Sequence, residues 1–443
     1  MTDRTRHSGL RRLWHAGLLG CLAMVALALA PGKAAAQSAY DCRALEVHGA
    51  LPAIEGRDGV FFRIDPDMHA YQTLSDESIA LIGELSRALR SRGTTLVLMP
   101  VPGRGHVLAH QLPAMAQHVG FDPDIATAVH RDVMQRLAGA GIAVADPRRA
   151  LRQSALAGRM PFFAADPRPT AEGSKVMAAS IADILAQHPD TKDLARGQFL
   201  TQPVGAVTLP SVMRAQLQLA CQDTLPTVAF AAETTRPDGP VSDSVGVAAV
   251  IGTEFTGTAA LNFSGYLSAA SGLRVLGYGV AGGGAFAAMS SYLTSVDFRA
   301  APPQVLVWEF PLWTSLANHG DQPMKELIAA GGESCSRPLT LGPGSGPGRV
   351  VADLQGLDAG QDVTLALDTD GAFVSAVRFH FRGADDLVRP RSIYRHPDQL
   401  LTGRFYMPLS GLEATGLRSV EIEIPQPYGP QPSLTACIRG ATE

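Results

Sequence analysis

The stretch Val247-Ala248-Ala249-Val250-Ile251-Gly252-Thr253-Glu254 decides the fold. Five apolar residues without polar alternation read as a short strand buried on both faces, as in a parallel sheet. Glu254 falls just past the carboxyl end of that strand, the edge where open α/β sheets display reactive groups. Downstream the rhythm continues with a helix from about 259, a strand over 273–279, a helix near 285–292 and a strand over 305–310. Upstream, Ser75 caps a helix to 92 that carries Ile79, Ile82, Leu85 and Leu89 on one stripe and stops at Gly93. A strand over 94–100, a helix over 125–137, a strand over 142–145 and a helix from the Thr170 cap to about 185 complete the series. Residues 190–235, rich in Pro, Thr and Gln, give no clear element. Short apolar strands separated by helices predict an α/β, doubly wound, mostly parallel sheet over 37–330.

The texture changes near residue 331. Residues 339–350 are rich in Gly and Pro, and 363–367, 373–381 and 420–424 alternate apolar and polar residues. Asp370-Gly371 reads as a hairpin turn between the first two of these runs. Residues 331–443 are therefore expected to form an all-β sandwich.

The 443-residue chain is 46% hydrophobic and 18% charged, enough to bury a sizeable core. Its start is not expected to belong to the fold. Arg4, Arg6, Arg11 and Arg12 precede an apolar run over 16–30, and Ala34-Ala35-Ala36 offers a cleavage site, so 1–36 reads as a secretory signal peptide. No other stretch suits a membrane span. Cleavage leaves 32 cationic and 40 acidic side chains, a net charge of −8, which argues against nucleic acid as a partner. It also leaves Cys42, Cys221, Cys335 and Cys437 for an oxidising compartment, an even set with three possible pairings. No paired C-x-x-C spacing points to zinc, and no metal or cofactor is expected.

Two further blocks carry the chemistry. One is Asp166-Pro167-Arg168-Pro169-Thr170-Ala171-Glu172-Gly173; the other is Val250-Ile251-Gly252-Thr253-Glu254-Phe255-Thr256, followed by Asn262-Phe263-Ser264-Gly265-Tyr266. They resemble the D-x-H-x-T-x-E-G and G-T-S…N-F-x-G-Y blocks of the SGNH-hydrolase-like domain in alginate O-acetylation proteins of the AlgX/AlgJ type. Gly56-Arg57-Asp58-Gly59-Val60-Phe61-Phe62 and Val307-Trp308-Glu309-Phe310-Pro311 are similar to two more blocks of that family. The resemblance implies a Ser-His-Asp triad whose Asp is Asp166, whose His position holds Arg168 and whose Ser position holds Glu254. It also implies a permuted order of catalytic blocks, bridges Cys42–Cys221 and Cys335–Cys437, and a C-terminal carbohydrate-binding module.

A guanidinium cannot serve as the base, and Glu254 puts a carboxylate where acyl transfer needs a hydroxyl. A Glu254–Arg168 ion pair, with Asp166 as a second acceptor, is the expectation. Two alternatives stay open: Asp166 and Glu254 as a glycosidase carboxylate pair, and residual acetyl transfer through Thr253 or Thr256. Gly277-Tyr278-Gly279-Val280-Ala281-Gly282 fits a dinucleotide fingerprint, but the acid twenty residues on, Asp297, follows a helix instead of ending a strand, so the glycines read as a tight turn. His106 and His110 read as packing or surface residues.

In Val377-Arg378-Phe379-His380-Phe381-Arg382, alternation puts Arg378, His380 and Arg382 on one face. Arg389, Arg391, Arg395 and Arg404 follow, with Tyr394 and Tyr406 nearby, a set suited to holding a uronate chain by charge and stacking, or to a solvated sheet face. The expected role is periplasmic: exopolysaccharide O-acetylation, biosynthesis or export, by binding or scaffolding an anionic or acetylated polysaccharide beside other export proteins. An active O-acetyltransferase with an altered catalytic set, or a protein-binding module with no glycan role, are the rivals.

Overall fold

In the strand Thr95–Val101, Leu96 and Leu98 enter one apolar cluster while Val97, Met99 and Val101 enter another. Ala249 and Ile251 against Ala248 and Val250, and Leu306 and Trp308 against Val305 and Val307, divide in the same way. Period-two alternation with both sides buried makes this the middle of three layers. The computed structural model describes residues 38–439 except 72–73, 241, 315, 317–319, 358–360, 413–415, 426–428 and 430. The expected signal peptide lies outside the described residues.

The central sheet runs Ala143–Val144, Thr95–Val101, Val305–Pro311, Val247–Gly252, Arg274–Gly279, with every neighbouring pair parallel. Helices Asp76–Arg90, Ala287–Thr294 and Gln322–Gly331 cover one face; Ala171–Gln187, Phe263–Ser271 and Arg148–Leu156 cover the other. The helix caps read from sequence are in place: the Ser75 hydroxyl accepts from Ser78 N–H at 3.0 Å, and Thr170 accepts from Gly173 N–H at 3.2 Å. The helix expected from 259 starts later. Ala259–Leu261 is a 3-10 turn, Asn262 is left-handed at φ 53°, and the regular helix is Phe263–Ser271.

Residues 190–235 hold elements that the sequence did not signal. Phe199–Leu209 pairs with Val228–Pro237 as an antiparallel ribbon, and the helix Val212–Gln218 lies between them. Much of the ribbon is exposed, and a register shift between Pro203 and Gly205 breaks its alternation, which removes the period that identifies a strand.

The C-terminal region is two antiparallel sheets around one core. Cys335–Leu339, Ser433–Arg439, Asp362–Asp368 and Arg404–Pro408 form the first; Gly342–Pro343, Arg349–Asp353, Ser419–Glu423, Ala376–Arg382 and Val388–Tyr394 form the second. Leu365, Phe405 and Leu434 of the first meet Phe379, Phe381 and Ile422 of the second. Asp370-Gly371, expected as a hairpin turn, does not join paired strands. Both residues turn with positive φ, 57° and 77°, but they carry the chain from one sheet to the other. Asp362–Asp368 pairs instead with Arg404–Pro408 and Ser433–Arg439, so the turn chemistry was legible and the pairing was not.

The outer face of the first sheet packs on the α/β layer, with Tyr406 and Cys437 joining its core. Across this junction Arg395 holds Glu326 at 2.5 and 3.1 Å, both side chains almost fully buried. The bridges are Cys42–Cys221 and Cys335–Cys437. Among the described residues no helix is long and apolar enough to cross a membrane, and no cluster of His, Cys, Asp and Glu could hold a metal.

Candidate acyl-transfer site

Three strands deliver their carboxyl ends to one place. After Thr95–Val101, the buried Arg104 donates to the carbonyls of Phe163 and Ala164 at 2.8 and 2.9 Å, fixing the loop that carries Asp166. After Val247–Gly252 comes the turn Glu254–Gly257. Within Val305–Pro311, Glu309 reaches beneath that turn and is fully buried. Its carboxylate accepts from Thr253 N–H at 2.7 Å, from the Thr253 hydroxyl at 2.9 Å and from the Thr256 hydroxyl at 3.0 Å. Burial, offset only in part by these bonds, pushes the Glu309 carboxyl up to about 7.

The glycines of the blocks serve this packing. A Cβ at Gly252 would sit 2.2 Å from Glu309 Oε2, and one at Gly279 would sit 2.2 Å from the Thr253 carbonyl. The Gly277–Gly282 run thus uses its glycine to seat the Glu254 turn. A Cβ at Gly265 would sit 2.0 Å from Asn262 Oδ1, which accounts for the spacing in Asn262-Phe263-Ser264-Gly265. Glu172 accepts from the Ser154 hydroxyl at 2.7 Å and from Arg159 at 2.8 Å, so it braces the loop from outside.

Arg168 is committed to Asp166. Its Nε and a terminal nitrogen each donate to an Asp166 oxygen at 2.8 Å, and that terminal nitrogen also reaches the Pro210 carbonyl at 2.7 Å. Asp166 is 2% exposed and the Arg168 side chain 12%, so this is a buried, bidentate pair. The expected Glu254–Arg168 ion pair is absent: Arg168 turns its Nε and one terminal nitrogen to Asp166 and the Pro210 carbonyl instead. Glu254 is half-buried, and among the described residues its carboxylate has no hydrogen bond and no ion pair within 4 Å. Its nearby cation is Arg63. Burial would lower the Arg63 guanidinium, yet the charges of Asp67, Glu254 and Asp166 hold it above its ordinary value. Arg63 also donates to both Asp67 oxygens at 3.0 and 2.7 Å and lies 5.0 Å over Trp313, whose ring meets Phe255 edge-on. Burial pushes the neighbouring Arg104 down to about 10.

Arg63, Asp67, Arg104 and Glu309 were missed as site residues. Arg63 directly follows the Gly56–Phe62 block and Glu309 lies inside the Val307–Pro311 block, so both are marked in the sequence by position, without a role attached. His106 is buried, with Nε2 3.1 Å from the His69 carbonyl, and burial pushes it down to about 4. His110 makes no ion pair among the described residues.

The C-terminal set divides between two faces. Arg378, His380 and Arg382 share the outer face with Tyr394, whereas register places Arg389 opposite Phe381 and Arg391 opposite Phe379, on the inner side. Carboxylates answer the outer cations: Glu423 lies 3.7 Å from Arg378 and 3.2 Å from His380, and Arg349 joins Glu421 and Glu423. Arg389 pairs with Asp385, and Arg391 donates to the Pro408 and Ser410 carbonyls.

A three-layer parallel sheet with these blocks at its carboxyl edge, followed by an antiparallel sandwich, defines an SGNH-hydrolase-like protein with an appended β region. Residues 53–312 match the family model described as SGNH hydrolase-like domain, acetyltransferase AlgX, and the chain belongs to that family. It is 29% identical over 348 residues to the alginate biosynthesis protein AlgX of Pseudomonas aeruginosa, spanning 73% of this chain and 70% of that one. It is 28% identical over 276 residues to the probable alginate O-acetylase AlgJ of Pseudomonas fluorescens, spanning 58% and 68%. The solved structure of Pseudomonas aeruginosa AlgX superposes with a TM-score of 0.71 at 24% identity, covering 92% of this chain and 98% of that one. The O-acetyltransferase domain of Pseudomonas putida AlgJ gives 0.50 at 24% identity, covering 62% and 98%.

Proposed function

We propose that this protein works in the O-acetylation, biosynthesis or export of an alginate-type polysaccharide in the periplasm, as a binding or scaffolding member with a retired acetyl-transfer site. The observation that carries this reading is the closed Asp166–Arg168 pair. In a working triad Asp166 would orient a histidine that takes the nucleophile's proton. Here both its oxygens are filled by a permanently charged group with no acceptor capacity. Glu254 then supplies a carboxylate in place of a hydroxyl, and Arg63 stands near it. Names of the relatives and the two disulfides support the pathway and the compartment.

One observation favours the rival reading, an altered catalytic set. Glu309, poised at about 7, accepts from two threonine hydroxyls and has the pKa of a general base. Burial weighs against it: Thr253 is 3% exposed and Thr256 is 7% exposed, so neither oxygen is displayed to an acyl donor. The glycosidase pair is disfavoured because Asp166 is sealed in its ion pair. The test is turnover of p-nitrophenyl acetate by the mature protein beside Glu254→Ser with Arg168→His. No turnover in the natural protein and a gain in the double variant support a retired site. Turnover in the natural protein that disappears in Glu309→Gln establishes the altered set and overturns the proposal.

A further inference from the structure

A cluster of three arginines, Arg92, Arg299 and Arg404, against two carboxylates lies at the edge of the sheet opposite to Glu254. Arg92 precedes the strand Thr95–Val101 and Arg299 precedes Val305–Pro311, so both stand at amino ends of the strands. A seven-residue strand spans about 23 Å, which separates this place from the Glu309 end. Here the first sheet of the sandwich and the α/β layer leave a cleft of about 360 Å³, within the size range of small-ligand sites.

Antiparallel register puts two rows of side chains into the cleft: Ser433, Asp368 and Arg404, then Thr435, Ala366 and Tyr406. Arg404 is held by Asp368 at 2.8 Å and donates to the Thr294 carbonyl at 3.1 Å. Arg92 lies 5.0 Å over Phe298 and donates once, to the Arg299 carbonyl. Arg299 is 50% exposed, 3.9 Å from Asp368, and its guanidinium has no hydrogen bond among the described residues. Against three guanidiniums the lining offers two carboxylates, Asp368 and Glu333. The hydroxyls of Tyr406, Ser433 and Thr435 likewise have no hydrogen bond among the described residues. Open guanidinium donors beside hydroxyls of both donor and acceptor capacity, with alanine methyls from Ala329 and Ala330 on the facing wall, match a ring that carries one carboxylate and several hydroxyls.

We infer that this cleft is a second binding site, for a single uronate unit, with Arg299 and Arg92 on the carboxylate and Thr435, Ser433 and Tyr406 on the ring hydroxyls. The site stands whether or not the Glu254 site transfers acetyl groups. The anion chemistry is shared with free inorganic phosphate, and the volume and the hydroxyl row favour the sugar.

Calorimetric titration of the mature protein with glucuronate, glucose and inorganic phosphate tests this. Glucuronate is expected to bind and glucose not to. Arg299→Ala should weaken glucuronate about tenfold, and Thr435→Val measurably, the loss of a charge-assisted bond and of a neutral one. Arg378→Ala and the Glu254→Ser, Arg168→His double variant should leave the affinity unchanged, which separates this site from the sandwich face and from the acyl-transfer site. No glucuronate binding, equal affinity in Arg299→Ala and Thr435→Val, or binding of phosphate in place of glucuronate would each overturn the assignment.

Discussion

Replacing Glu309 by Gln should expose a pH dependence that the natural protein hides. The Glu309 carboxyl is pushed up to about 7 and the His106 imidazole down to about 4, burial being the main cause in both. Each differs from its ordinary value by about 2.5 units, or roughly 3 kcal/mol of pH-dependent stability. Their signs oppose. The raised carboxyl stabilises the fold fully below about 4.5, and that contribution is lost as pH rises to about 7. The depressed imidazole stabilises it above about 6.5, and that contribution is lost as pH falls to about 4. Between about pH 4.5 and 6.5 these two slopes offset each other. Glutamine keeps an acceptor for Thr253 N–H, and the Thr253 hydroxyl can turn to accept from the new amide, so packing survives. Glu309→Gln should therefore gain roughly 3 kcal/mol between pH 4 and 6.5, the uncovered histidine slope. Urea unfolding at stepped pH reads it, because Trp308 and Trp313, the tryptophans beyond residue 36, lie beside this site. A Glu309→Gln profile parallel to that of the natural protein would refute the assigned protonation of Glu309.

Two further outcomes follow from the same geometry. Gly252→Ala forces a methyl to within 2.2 Å of Glu309 Oε2, so the carboxylate must leave its threonine donors. Denaturant unfolding should show a loss of about 3 kcal/mol. Arg395→Met keeps the bulk over Phe405 but leaves the buried Glu326 without its counter-charge, with only the Gln322 amide at 3.3 Å, and a loss of roughly 3–5 kcal/mol with early exposure of the sandwich to protease is expected.

The succession of strands and helices along the chain was legible because the strands are short apolar runs and the helices Asp76–Arg90 and Ala171–Gln187 begin at the capping Ser75 and Thr170. The ribbon Phe199–Leu209 with Val228–Pro237 was not legible, since an exposed strand with an internal bulge has no buried period to read. Sandwich pairing was not legible either. Asp370-Gly371 announces a turn, but which sheet the next strand joins depends on partners far along the chain. In the site, Asp166, Arg168 and Glu254 came from the resemblance to the family's sequence blocks, while the roles of Arg63, Arg104 and Glu309 needed three dimensions: their partners are Asp67, the Phe163 carbonyl and Thr253.

The missing Glu254–Arg168 contact changes how the two substitutions relate. If they formed one ion pair, each would require the other, and reversing one alone would strand a buried charge. The geometry instead gives each its own neighbours: Asp166 and the Pro210 carbonyl for Arg168, and the charge of Arg63 for Glu254. A double-mutant cycle on Glu254→Ser and Arg168→His should therefore be additive in stability within about 0.5 kcal/mol. The single Glu254→Ser should be nearly neutral, and Arg168→His should carry the larger cost, because it opens the bidentate pair of a buried aspartate. A coupling energy above about 1 kcal/mol would mean that the two side chains meet in solution and act as a unit. Additivity would mean that Glu254 and Arg168 are accommodated separately, so that Ser at 254 and His at 168 can be restored one at a time.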